Sequence, residues 1–201
     1  MQSTMTSTMQ SAMTSTTLPN MKAMAIVLYP DFEPLEVFGV AGMIGTDLGG
    51  TQCYDIHFFM HGKDDMQSQM SPAIEMLCPS CKMCTMEEGM KLRSTWDVVM
   101  VPGGKGYANM MYDQRFMDVL RQLCVMSEKV FTVCTGSLLL AKTGLLHGMK
   151  ATTKKEGMKK LIAEFPMVKW IEVARWTDDD KYMCSSGVCA GMVTVSWISD
   201  V

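Results

Sequence analysis

Cys134 sits where the β-favouring residues Val130-Phe131-Thr132-Val133 give way to Thr135-Gly136-Ser137 and then to Leu138-Leu139-Leu140. That order puts a thiol where a strand breaks sharply into a helix, the geometry of a nucleophile elbow. A side chain at such a turn stands at the carboxyl edge of a sheet. Backbone N–H groups of the new helix can stabilise a thiolate and a developing negative charge, so the thiol pKa is expected to be lowered. A free cysteine is more often a small buried apolar residue, so the assignment needs partners elsewhere in the chain. Glu36 is one candidate, an acid set among Leu35, Val37 and Phe38; its alternative is a first-turn carboxylate facing water. Pro102-Gly103-Gly104-Lys105-Gly106 is the other, directly after the apolar run 97–101. Glycines at that place let backbone N–H groups point into a crevice that binds anions or oxyanions.

The elements that must position these groups follow from periodicity. Residues 23–29 (AMAIVLY) form a continuous apolar run, the mark of a strand buried on both faces. A helix is expected over 32–44, with Asp31 as N-cap and Pro34 in its first turn. Residues 54–60 read as a second strand, 61–71 as a loop, 97–101 as a strand and 112–127 as a helix. The elbow helix spans 135–142 and ends at Gly144. Beyond it come a short strand at 151–153 and an amphipathic basic helix over 155–164. Strands at 168–176 and 181–184 flank Asp178-Asp179-Asp180, and a last helix follows Gly191. Alternating strands and helices with glycines at strand ends imply an α/β doubly wound sandwich with a mostly parallel sheet. The spacing GGxG is not GxGxxG, which argues against a dinucleotide site.

With 201 residues, 48% of them hydrophobic, and a net charge of -3, the chain suits one domain with a proper core, and no basic excess points to nucleic acid. No apolar run approaches bilayer length and no secretory signal is present, so a cytoplasmic protein without membrane attachment is expected. The eight cysteines are then expected to be thiols. Cys78, Cys81 and Cys84 have zinc-like spacing but lack a downstream ligand pair, so they read as a cysteine-rich loop and no metal is expected. The 24 methionines read as compositional bias. Residues 1–20 have no charge and no periodicity and are expected to be a disordered tail before a domain over 21–201.

The set YPDFEPLEVFG, VVMVPGGKG, TVCTGSLLLAKTGLL, KATT, FPMVKW and ARWTDDDKYMCSSGVCAG resembles the ThiJ/PfpI (DJ-one) superfamily, nearest its isocyanide (isonitrile) hydratase branch. The resemblance covers residue 21 to the end. It implies a flavodoxin-like three-layer fold related to class I glutamine amidotransferases, with Cys134 as nucleophile and Glu36 as its acidic partner. It also implies an oxyanion or substrate pocket at Gly103, Gly104 and Thr135, with the Thr135 side chain near the thiol. A small-molecule substrate, a homodimer and no cofactor are implied as well. Three departures bear on substrate choice: Lys154 stands where many relatives have histidine, Val40 where proline is usual, and Glu36 where most hydratases have aspartate. The chain also ends about a helix short of the usual family length, which suggests a truncated C-terminus.

The implied reaction is hydration of an isocyanide to an N-substituted formamide. Peptidase chemistry would need a histidine beside the nucleophile, and Thr135 occupies that place. Amidotransferase chemistry lacks its closing His and Glu. Two rivals share the Cys/Glu pair: a glyoxalase or deglycase acting on small carbonyls, and a non-enzymatic redox or ligand sensor. No helix-turn-helix segment follows the sandwich, so direct DNA binding is not expected.

Overall fold

The computed structural model describes residues 21–44, 54–62 and 81–199, with side chains as far as Thr194 in the last helix. The tail at 1–20, most of the 61–71 loop and Cys78 lie outside the described residues. Strand β1 (Lys22–Leu28) is buried from Ala23 onward, as a central strand covered on both faces must be. Then follow α1 (Pro34–Ile44), β2 (Tyr54–Met60), β3 (Lys82–Thr85), α2 (Met86–Leu92), β4 (Trp96–Val101), α3 (Tyr107–Met110) and α4 (Gln114–Met126). Strand β5 (Ser127–Val133) runs into α5 (Gly136–Lys142). The last third holds β6 (Lys150–Ala151), α6 (Met158–Ile162), β7 (Lys169–Trp170), β8 (Trp176–Asp179), β9 (Tyr182–Ser185) and α7 (Val188–Ser199).

Among the described residues, seven strands form one sheet in the order β3-β2-β1-β4-β5-β9-β8, parallel throughout except for the β8–β9 pair. The chain works outward from β1 through β2 and β3 on one side, and from β4 through β5 on the other. Right-handed crossovers then put α1 and α4 on opposite faces, where α1 packs with α7 and α4 with α2 and α5. Between β1 and β4 the direction of winding reverses, so the loops leaving their carboxyl ends diverge and leave a crevice. The loops that follow β1, β4 and β5 all open onto that edge.

Local chemistry explains several boundaries. Helix α2 starts on a capping box in which Thr85 Oγ1 accepts from the Glu88 N–H (3.2 Å) and Glu88 Oε2 accepts from the Thr85 N–H (3.0 Å). Helix α4 starts at Asp113, whose carboxylate accepts the Phe116 N–H at 2.9 Å. At the amino edge, buried Asp55 on β2 is paired with Lys82 Nζ (3.1 Å) and Arg93 Nη2 (2.5 Å), which ties the edge strand β3 to the sheet. Burial pushes its carboxyl up, but the neighbouring His57 and Lys82 together hold it below the usual range.

Several expectations are corrected. Asp31 is not the cap of α1: its backbone is left-handed (φ 58°), Phe32 bridges to Gly104, and the helix begins at Pro34. Here the chain is pinned to the β4 loop before it can start a helical turn. The basic helix expected over 155–164 shrinks to Met158–Ile162 behind Gly157 at φ 67°. The strand expected over 168–176 divides, because Lys169–Trp170 pairs with β6 in a separate two-stranded sheet while β8 begins only at Trp176. Nor are the cysteines all thiols, since Cys81 is disulfide-bonded. That expectation came from cellular compartment, which says nothing of how close two sulfurs lie. Among the described residues, no helix is long and apolar enough to cross a membrane.

Candidate active site

Cys134 occupies the turn between β5 and α5 with φ 54°, a left-handed conformation that costs a non-glycine residue roughly 1 kcal/mol or more. Three hydrogen bonds impose it. The Cys134 N–H donates to Ser185 O (2.9 Å), and Cys134 O accepts from Ser137 Oγ (2.9 Å) and Thr153 Oγ1 (2.9 Å). Strain held so firmly aims the half-buried thiol out of the sheet edge instead of into the core.

The glycine loop after β4 makes the close approach possible. A Cβ added at Gly103 would lie 2.8 Å from Cys134 Cβ and 2.9 Å from Thr135 N, inside any tolerable contact. Gly104 has φ 134°, and its position abuts Asp31 O. The Glu33 N–H donates to Gly103 O (2.8 Å) and the Gly106 N–H to Asp31 O (3.1 Å). These bonds lock the start of α1 against the β4 loop and so deliver Glu36, one turn later, to Cys134.

Glu36 is only 2% exposed, so the water-facing alternative fails. Its Oε2 accepts the Gly103 N–H at 2.6 Å, and its carboxyl is hydrogen-bonded to the Cys134 sulfur. Burial raises its pKa to about 7; the bonds to Gly103 and Cys134 pull the other way without prevailing. Burial, reinforced by the Glu36 charge, pushes the Cys134 thiol up to about 12, although the Thr135 N–H and the Lys154 charge favour the thiolate. The expected lowering by a helix N-terminus is therefore overturned. One N–H from a seven-residue helix does not offset removal from water beside a carboxylate.

The pair therefore works as a unit. Below about pH 7 it holds two protons; above, one proton is shared along the sulfur–carboxyl hydrogen bond. A thiolate arises by moving that proton to Glu36, with no need to release it to water. Alkylation of Cys134 by iodoacetamide, followed by peptide mass spectrometry, should fall about tenfold per pH unit below 7 and level off above it. Glu36→Gln should erase that break, and an identical profile in both proteins would refute the coupling.

A raised carboxyl pKa also bears on stability. The ordinary value is 4.5, so the folded state binds this proton more tightly than the unfolded chain. The resulting stabilisation is complete below about pH 4.5 and is lost as pH climbs through 7, a difference of about 3 kcal/mol. Glu36→Gln keeps an acceptor for the Gly103 N–H and removes the buried charge. Urea unfolding should find it more stable than wild type by about 1–3 kcal/mol at pH 8, with the gap closing by pH 4.5. A gap that ignores pH would contradict the assignment.

Thr135 Oγ1 accepts the Gly104 N–H (3.1 Å) and lies 3.3 Å from Gly104 O. The Gly103 and Gly104 N–H groups are thus engaged by Glu36 and Thr135, and the Thr135 N–H is the donor directed at the sulfur. Sequence reasoning missed three contributors. Tyr29, fully buried, donates through its hydroxyl to Pro102 O (2.8 Å) and closes the β1 and β4 ends over the site. Burial, then the charges of Glu36 and Cys134, hold its phenol well above the ordinary range. Thr153 and Ser185 clamp the elbow backbone from β6 and β9. The signals available were a tyrosine ending an apolar run before Pro30 and a buried Thr-Thr pair after β6. His57 lies 3.1 Å from Asp55 Oδ2, outside hydrogen-bonding geometry, and His61 pairs with Asp113 (2.8 Å); neither serves Cys134. A cavity of about 510 Å³ lies at the opposite edge, near Lys22, Tyr54, Asp97 and Glu128, where the strands begin. Its lining holds no cysteine.

The sequence model of the DJ-1/PfpI family matches residues 81–194. A 57-residue stretch is 46% identical to isonitrile hydratase of Pseudomonas putida, covering 28% of this chain and 25% of that protein, so the match spans a quarter of the relative's length. Among solved structures, a ThiJ/PfpI family protein from Pseudomonas syringae superposes with TM-score 0.65 at 18% identity, over 90% of this chain and 68% of the other. A DJ-1 superfamily protein from Salmonella typhimurium gives 0.66 at 16%, over 89% of each chain. Drosophila melanogaster DJ-1beta gives 0.64 at 16%, over 90% of each. At such identities these structures establish the fold.

Proposed function

This chain belongs to the DJ-1/PfpI family, and from that premise we propose that it is a cofactor-free cysteine hydro-lyase that hydrates an isocyanide to an N-substituted formamide. The observation that carries the reading is the Glu36 carboxyl, raised to about 7 and hydrogen-bonded to the Cys134 sulfur. A group of that pKa takes a proton and returns it at neutral pH. The partial likeness to isonitrile hydratase supports the choice of substrate.

Glu36 takes the thiol proton as the sulfur bonds to the terminal isocyanide carbon, and it returns that proton to the same carbon, leaving a thioimidate. Water adds across the carbon–nitrogen double bond, with its proton passing to nitrogen. The tetrahedral adduct collapses, the carbon–sulfur bond breaks, and formamide and thiol are restored. One water is consumed and no redox change occurs. The Thr135 N–H faces the sulfur and steadies its negative charge before attack and on release.

The test is formation of N-cyclohexylformamide from cyclohexyl isocyanide, followed by chromatography, for wild type and Cys134→Ala. Formamide from the wild type alone supports the reading; no formamide from the wild type rejects it.

A further inference from the structure

We propose that Lys154 is a specificity-determining cation that makes the Cys134 site select small electrophiles carrying a carboxylate. The inference rests on Cys134 being the nucleophile and goes on to name the substrate class. After β6, two buried threonines fix the chain: Thr152 Oγ1 donates to Ile171 O and Ala174 O (3.1 Å each), and Thr153 Oγ1 to Cys134 O (2.9 Å). Lys154 is the next residue, so its backbone is anchored to the elbow itself. Its neighbour Lys155 is spent on structure, with Nζ donating to Thr152 Oγ1 (2.7 Å) and Ala174 O (2.5 Å). Lys154 Nζ instead lies 3.6 Å from the carboxylate of Glu156, a side chain 92% exposed, and so screened a contact leaves the charge available to a ligand.

The signs of the surrounding charges give that cation its role. Lys154 favours the negative form of the Cys134 sulfur, whereas Glu36 opposes it and Glu33 in turn acts on Glu36. Glu33 and Glu36 carry the sign that repels an incoming carboxylate, and Lys154 carries the opposite one. A neutral electrophile has no such requirement. The lysine therefore sets which charge class of substrate reaches the sulfur, much as a cleft of one sign concentrates its counter-ion.

Iodoacetate and iodoacetamide are close in size, differ chiefly in charge, and alkylate the same sulfur by displacing iodide. Their rate ratio at Cys134 cancels any change in thiol reactivity. In Lys154→Met the iodoacetate-to-iodoacetamide ratio should fall about tenfold, the effect of one partly screened charge at close range. In Lys154→Arg it should stay within about twofold, since the charge is kept. An unchanged ratio in Lys154→Met, or an equal fall in Lys154→Arg, overturns the proposal. Turnover supplies a second arm: KM for isocyanoacetate should rise about tenfold in Lys154→Met while KM for its methyl ester holds. Should wild type hydrate neither of these compounds nor cyclohexyl isocyanide, the hydratase reading fails and the alkylation ratio still decides the role of Lys154.

Discussion

Replacing Cys134 by alanine should bring formamide formation to the uncatalysed background, at least about a thousandfold below wild type, with the melting temperature shifted by only a few degrees. The attacking atom is removed, while the site around it persists. Glu36 keeps its bond to the Gly103 N–H, and the backbone at position 134 keeps all three of its clamps, because they run through its N–H and carbonyl groups. Serine at this position should be equally inactive, since a hydroxyl is far harder to deprotonate than a thiol at a site where even the thiol is pushed up to about 12. Turnover by the alanine variant above about one per cent of wild type would mean that water attacks directly and that the covalent route is wrong.

Gly136→Ala should destabilise the fold by roughly 3–5 kcal/mol. An added Cβ would lie 2.2 Å from Val101 O and 2.7 Å from Pro102 O. Both obstacles are backbone, so no rotamer change relieves them; α5 must move away from the end of β4 and take the elbow with it. Gly42→Ala is the matched control. Position 42 lies within α1, exposed, with nothing within 4 Å of an added Cβ. There the methyl should stabilise by roughly 0.5–1 kcal/mol through better helix propensity. Urea unfolding of both variants at one pH measures the pair of effects, and equal shifts would show that the close β4–α5 approach is not as described.

The central strands and the elbow were readable because each is a local pattern. Residues 23–29 and 97–101 are unbroken apolar runs that only a two-sided sheet can bury, and the switch from Val133 to Gly136 marks the strand-to-helix turn by composition alone. Glu36 was legible as an oddity, an acid amid apolar residues, but its burial depends on a loop 67 positions away in sequence. Asp31 misled for the same reason: its type says N-cap, and a contact to Gly104 decides otherwise. The thiol pKa went wrong because a sequence displays the helix that stabilises a thiolate, yet not the depth of burial that opposes it. Pairing of β6 with β7 was invisible, since two-residue strands carry no period.

The left-handed backbone at Cys134 sets a trap for laboratory evolution. Glycine meets no steric obstacle at φ 54°, so a library screened solely for heat tolerance should enrich glycine at this codon and discard the sulfur. Robustness and reactivity pull against each other at one position, and any campaign to harden this protein needs a thiol-reactive counter-screen from its first round.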